Sequence, residues 1–537
     1  MSQPNVGSMW GFSSCHRKRA LFAPLFLLLV SIPAFAVTAS GFVTKIDSTT
    51  AFDMGSLHVL FDSQTQCLMA TPSAKQWVPG PFSGRLSYHR PKLSRKFVPC
   101  GTLNFVVGER TYIVGTQYGG RSFVAKKIIA YTEVLEKPGE KLRNTAIIEE
   151  QPELQNKAGG WNGILWVDGY PLTITTHTRM LTAPASTSLY YMYSNRISYN
   201  YITHSKIHPK DIPAFSSDLL RENNCVTYHA IYGQDGSLTA ENLRFWPNHV
   251  DAKEKRYWNK FRTWIIDPDY KKHIYGSIRF NRFNRGILRH GPTLTILPDR
   301  TIQEWVSNLG MGIVPRYQRG LPDTDATKIH FRFYVVKSFG SALNGYLRII
   351  DGVALRKYDD VLVAMPNGIV LIPDSALEKL NNKAELAAIL EYAISSILQK
   401  QAYVIYPFAF SYWPGSGSNV GDQEPGVWQS EQQLRIGIRQ MYLAGYDIRE
   451  APFAWAVAQD KPVNNPIINS KHPNKDIPWY AAYAFNYISQ YYKDVDYSKL
   501  KRGEKEYQAF LKELYKADPS LPHPKVAAAA TSAAATK

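Results

Sequence analysis

The stretch from Val361 to Val404 constrains the fold more than any other. Val361 to Met365 is an apolar, β-type run. Pro366-Asn367-Gly368 reads as a turn, because Asn-Gly supplies the positive φ angles of a tight hairpin. Ile369 to Ile372 forms the return strand. Two helical segments follow. The second opens on Asn382 with Glu385 three residues on, a capping signal. Leu386, Ile389, Leu390, Ala393, Ile394 and Ile397 then recur at the spacing of one helical face turned to a core.

This hairpin and helix resemble the HtpX-like zinc metallopeptidases, metallopeptidase family forty-eight. There the helix reads, in outline, ELAAVLAHEIGHV. Here the same register runs from Glu385 to Ile397. Tyr392 stands where the first zinc histidine belongs, Ala393 where the catalytic glutamate belongs and Ser396 where the second histidine belongs. A His-Glu-x-x-His helix projects two imidazoles from i and i+4 and lets the glutamate reach the metal-bound water. A phenol and a hydroxyl are poor zinc ligands, and alanine is no base. The family's third-ligand helix has the outline EADRLGLRYMARAGYD. It is matched at Arg435, Gly437 and Gly445-Tyr446-Asp447, but the ligand glutamate has become Gln432 and the aspartate after it Leu434. The family's hairpin outline NAFALPGG matches Val361 to Gly368, with Val361 in place of the asparagine. Ser470-Lys471-His472-Pro473 is similar to its Ser-His-Pro element. The resemblance implies a gluzincin-type frame without its zinc, and Val361, Asn367, Gly368 and His472 as candidate groove residues.

The 537 residues suggest roughly three domains at about 150 residues each. From Gly41 to Ala130, short β-branched and aromatic runs punctuated by Gly, Asp and Pro predict a β-barrel or sandwich. This part weakly resembles a small β-domain of secreted bacterial proteins with no assigned function. Trp161 to Arg179 returns to strand character around Asp168-Gly169. The expected fold class is α+β and multidomain, with N-terminal β units followed by a mainly α-helical metallopeptidase-like domain carrying a β-hairpin. The expected organisation is a signal peptide over 1–36, a β-domain over 37–135 and a connector over 136–160. A second β unit over 161–215 and a basic, aromatic connecting region over 216–300 come next. The metallopeptidase-like domain spans 301–520, and an Ala/Thr-rich disordered tail spans 521–537.

Residues 1–36 carry a basic run, an apolar core too short to span a bilayer comfortably, and Ala34-Phe35-Ala36 as a cleavage site. Export to a periplasmic or extracellular location follows, with an uncleaved anchor as the alternative. No later stretch is apolar enough for a transmembrane helix. Cys67 and Cys100 are candidates to pair in an oxidising compartment, leaving Cys225; three buried thiols are the alternative.

The net charge of +18 gives a solvated basic face or attraction to an anionic envelope surface. The cationic, aromatic run from Lys253 to Arg289 has the composition of a nucleic-acid surface. Export argues against nucleic acid as partner. His204 and His208 are four apart, but Pro209 and Pro213 argue for a loop. The Gly-rich Tyr412 to Asn419 lacks the lysine of a phosphate loop. Three functions remain open: an inactive peptidase-like protein binding protein segments, an envelope structural or adhesion protein, and a hydrolase acting through Ser395 or Ser396. No cofactor is expected.

Overall fold

The computed structural model describes residues 36–72, 95–99, 105, 109–118, 121–131, 139, 141–157, 159–183, 215–233, 236–250, 252, 263–267, 276–284, 287–337, 362–365, 367–400, 427–458, 467–468 and 479–522. The fold is α+β, and residues from Val37 onward form one unit. No described helix is long and apolar enough to cross a membrane.

The first sheet takes β1 (Val37–Phe42), β2 (Lys45–Ser48), β3 (Ala51–Met54), β4 (Leu57–Leu60), β5 (Gln66–Pro72), β6 (Arg95–Pro99), β7 (Arg110–Tyr118) and β8 (Ser122–Tyr131). Alternate positions such as Phe52, Met54, Val59, Ile113 and Phe123 point into a core of their own. The second sheet takes β9 (Lys141–Ile147), β10 (Glu153–Lys157), β11 (Gly160–Val167), β12 (Tyr170–Ile174), β13 (Arg179–Thr182), β14 (Cys225–Tyr232) and β15 (Leu238–Trp246). Its path runs β10-β11-β12-β15-β14-β9, with β13 also on β15. Among the described strands both sheets have ends, so they are open mixed sheets and not closed barrels.

Lys141–Ile147 and Glu153–Lys157 are strands although the sequence there is charged and interrupted by Pro152. Pairing with β14 and β11 overrides the weak local pattern. The Asp168-Gly169 turn forms as expected, both residues having positive φ (59° and 74°).

Strands β16 (Thr263–Ile266), β17 (Ser277–Asn284) and β18 (Ile287–Thr295) make a small meander. A last sheet holds β19 (Arg332–Val336), β20 (Val363–Ala364) and β21 (Ile369–Pro373), with β21 in the middle. Two-residue β22 (Ile467–Ile468), late in the chain, returns to pair with β1 in the first sheet. Phe42 of β1 also packs on Phe485 at 4.8 Å between ring centres. The N-terminal sheet is thus tied to the helical part by main chain and side chain.

The hairpin before the helices turns differently from the expected Asn-Gly pair. Gly368 alone carries a positive φ (88°). Gly368 N–H donates to the Met365 carbonyl (2.9 Å) and Met365 N–H to that of Ile369 (2.8 Å). This is a longer loop closed by a left-handed glycine. A Cβ at Gly368 would lie 2.7 Å from Ile329 Cγ2 and 2.8 Å from the His330 carbonyl oxygen.

Eight helices complete the described fold: α1 (Arg300–Ile313), α2 (Arg316–Gly320), α3 (Asp374–Lys379), α4 (Lys383–Leu398), α5 (Val427–Leu443), α6 (Glu450–Ala458), α7 (Trp479–Tyr491) and α8 (Glu504–Ala517). Asn382 caps α4, its Oδ1 accepting from Glu385 N–H at 2.9 Å. The Glu385 carboxylate accepts from Asn381 N–H (2.7 Å), one residue before the cap. Gly445 ends α5 with φ 79°, Gly445 N–H bonding Tyr442 and Tyr446 N–H bonding Met441. That pair of bonds satisfies carbonyls left open at a helix end. Only Lys383 and Tyr392 of α4 escape full burial. The single apolar stripe expected for this helix is therefore a helix enclosed on nearly all sides. One continuous core joins α4, α5, α6 and α7 to the second sheet.

Candidate functional site

Helices α4 and α5 pack closely because Gly437 has no side chain. A Cβ there would come within 3.3 Å of Tyr392 N and 3.4 Å of the Glu391 carbonyl carbon. The two helices of the expected zinc site are neighbours, yet the four positions face different surroundings. Tyr392 turns its ring against Trp455 of α6, centres 4.7 Å apart at 62°. Ala393 is fully enclosed, and Ser396 is buried. Gln432 is fully buried and its Nε2 donates to the Thr145 carbonyl at 3.1 Å.

The last contact explains the residue type. Strand β9 is an edge of the second sheet, paired only with β14 among the described strands. Its outward main-chain groups need partners, since a buried unpaired carbonyl or N–H is costly. Gln432 serves Thr145. Gln399, just past α4, serves Ile147: its Oε1 accepts from Ile147 N–H (2.9 Å) and its Nε2 lies 3.4 Å from the Ile147 carbonyl. The side-chain amide thus stands in for another strand. Nε2 of Gln399 also donates to Glu149 Oε1 at 2.7 Å. A carboxylate at 432 has no N–H to offer the Thr145 carbonyl.

Two buried acids lie at this junction. Burial pushes the Glu149 carboxyl up to about 8; Gln399 and Gln440 pull against the shift, and Glu150 and Asp168 add to it. Burial, with repulsion from Glu149, holds Glu391 well above the ordinary carboxyl range. Glu391 is fully enclosed, and neither carboxyl oxygen has a hydrogen-bond partner among the described residues. Ser395 Oγ, one turn along, likewise has none among the described residues, so no described base engages it. These acids were not singled out in the sequence. The signal that could have found Glu391 is an acid within a helix that has apolar residues on every side.

Arg435 and Arg439, one turn apart on α5, reach the second sheet. Arg439 grips Glu150 through two nitrogens (3.1 and 2.9 Å) and lies 3.7 Å from the Trp166 ring centre. Arg435 pairs with Asp168 in the β11–β12 turn and lies 4.2 Å from the Tyr170 ring centre. Burial opposes the Arg435 charge, but Asp168, Tyr170, Tyr483 and Tyr228 outweigh it and hold the guanidinium well above its ordinary value.

Of the candidate groove residues, Asn367 and Gly368 sit in the hairpin turn, Gly368 buried against Ile329 and His330. Val361 and His472 lie outside the described residues, as do His204, His208, Tyr412 to Asn419 and most of the Lys253 to Arg289 run. Cys67 is disulfide-bonded, whereas Cys225 is buried and takes part in no disulfide. Cys100 lies outside the described residues; β6 ends one position before it, with Pro99 opposite Leu68. Compared with known proteins, the chain matches no family model and no curated protein.

Proposed function

We propose that this chain is an exported protein with an HtpX-like peptidase frame that binds protein segments without cutting them. The observation that carries the reading is the use of position 432. The side chain standing where the family's ligand glutamate would be is spent on the open edge of a sheet, at Thr145. Ala393 and Ser396, in the base and second-ligand positions, are core residues. A hydrolytic metal site needs converging donors and a free coordination position open to substrate. Packing of the second sheet against α4 and α5 removes the room for both at these positions. Segment binding would use the short edge strand β20 by strand addition.

The test uses the chain from Val37 onward and a reduced, alkylated unfolded protein as probe. Anisotropy should report binding, and electrophoresis should show an intact probe after prolonged incubation with added zinc. Cleavage that a chelator stops overturns the reading. A second reading, an envelope scaffold, draws on the net charge of +18. It requires binding to anionic vesicles that falls steeply with salt.

A further inference from the structure

The exposed face of the first sheet gathers a different set of donors. The registers of β2, β3 and β4 put Lys45 opposite Asp53 and Asp53 opposite His58, so the three form one row across the strands. Phe52, Met54, Leu57 and Val59, at the alternating positions, are buried in the core below. The pairing of β2 with β3 slips by one between Ile46 and Ser48, leaving Asp47 as the extra residue of a bulge. Bulges re-aim side chains. Here Asp47 Oδ2 comes to 3.4 Å from His58 Nδ1, while Asp53 Oδ1 lies 2.7 Å from the same nitrogen. The ligand atoms of the three residues all lie within 4.8 Å of one another.

We propose that Asp47, Asp53 and His58 form a binding site for a divalent transition-metal ion of the zinc type. Zinc takes imidazole nitrogen and carboxylate oxygen at about 2.0–2.2 Å, which sets neighbouring donors roughly 3 to 3.5 Å apart. The Asp47–His58 separation (3.4 Å) already fits, and the Asp53–His58 pair (2.7 Å) needs to open by roughly half an ångström. The donor set separates the candidates by class: calcium and magnesium favour all-oxygen sites, whereas imidazole suits zinc, copper and nickel. Asp47 divides its work, because Oδ1 takes Lys45 Nζ at 2.5 Å and Oδ2 faces the histidine. Each carboxylate thus offers one oxygen, and water completes the shell on the solvent side. All three donors stand on hydrogen-bonded strands, so little backbone ordering accompanies binding. Thr44 Oγ1 braces the β3–β4 turn, donating to the Asp53 carbonyl (3.2 Å) and accepting from Gly55 N–H (3.0 Å). The site belongs to the first sheet, whereas α4 and α5 share their core with the second, and it is independent of the peptidase-like reading.

The experiment titrates the chain from Val37 onward with zinc against a chromophoric chelator, beside the variants His58→Gln and Asp47→Asn. All three residues are partly exposed, and circular dichroism checks that each variant is folded. The expected result is one zinc per chain, weakened at least about tenfold in each variant, with calcium unable to compete. Cobalt in place of zinc should give a visible absorption band that His58→Gln removes. Absence of zinc uptake, or uptake unchanged in both variants, overturns the proposal.

Discussion

Arg435 Nη2 and Asp168 Oδ1 meet at 2.7 Å with side chains only 4% and 0% exposed, linking helix α5 to the β11–β12 turn. The remaining hydrogen-bonding capacity of the pair is well used. Asp168 Oδ2 accepts from Asn144 Nδ2 and Tyr228 Oη, each at 2.6 Å. Arg435 Nη1 donates to Tyr483 Oη (2.6 Å) and Nε to the Asp168 carbonyl (2.9 Å). A Cβ at Gly169 would lie 2.5 Å from Arg435 Cβ, so the turn can approach the helix only with glycine there. Tyr487 Oη donates to the Gly169 carbonyl from α7. One ion pair thereby ties the second sheet to two helices.

Breaking that pair on one side should be severe. Asp168→Asn keeps a side chain tolerant of the left-handed backbone but leaves the guanidinium buried without its counter-charge. Arg435→Met leaves the carboxylate uncompensated. Each should cost about 3–5 kcal/mol, read from urea denaturation. The double variant should cost less than the two singles added together.

Stability should fall as the solution turns alkaline. Burial pushes the Glu149 carboxyl up to about 8 in the folded chain, against an ordinary value of about 4.5. The folded state therefore holds a proton that the unfolded state has released between these values. The stabilisation is complete below about 4.5 and is lost as pH rises through about 8. Glu391 adds in the same direction. Burial also raises Glu150, against the pull of Arg439, and pushes Glu385 up to about 7, so both add to the decline. Denaturation midpoints measured from pH 5 to pH 9 should decline, and Glu149→Gln with Glu391→Gln should flatten the decline. An unchanged slope in that double variant would count against the assignment.

Installing at 393 and 432 the residues that the peptidase resemblance expects should unfold the protein sooner than arm it. Ala393 has no exposed surface, so Ala393→Glu forces a carboxyl into a packed core. Gln432→Glu removes the N–H that Gln432 donates to the Thr145 carbonyl and sets a buried carboxylate against that oxygen, and should cost about 1–3 kcal/mol. Thermal melts of the two single variants check this. Unchanged melting temperatures would show that the interior here is looser than the packing indicates.

The thiols should behave in two classes. Peptide mapping without reduction should find Cys67 linked to Cys100. Cys225, fully buried, should react with an alkylating reagent only after denaturant is added. Rapid labelling of Cys225 in native buffer would contradict its place at the start of β14, packed with Ile147, Ala183, Trp246 and Tyr317.

Much of the local architecture was legible in the amino-acid order. Asn382 as a cap, Gly445 as a helix stop, Asp168-Gly169 as a tight turn and the helical rhythm from Leu386 to Ile397 depend on neighbours a few residues away, whose spacing is written in the chain. The candidate site was legible only as four positions, 392, 393, 396 and 432, where the peptidase resemblance expects other residues. What those residues do instead depended on partners far off in sequence. Gln432 meets Thr145, Gln399 meets Ile147 and Glu149, and Arg435 meets Asp168, each pair separated by more than 240 positions. No periodicity encodes such meetings. Burial of an edge strand, and the need to satisfy every polar group enclosed with it, become defined only when the sheet and the helices close on one another.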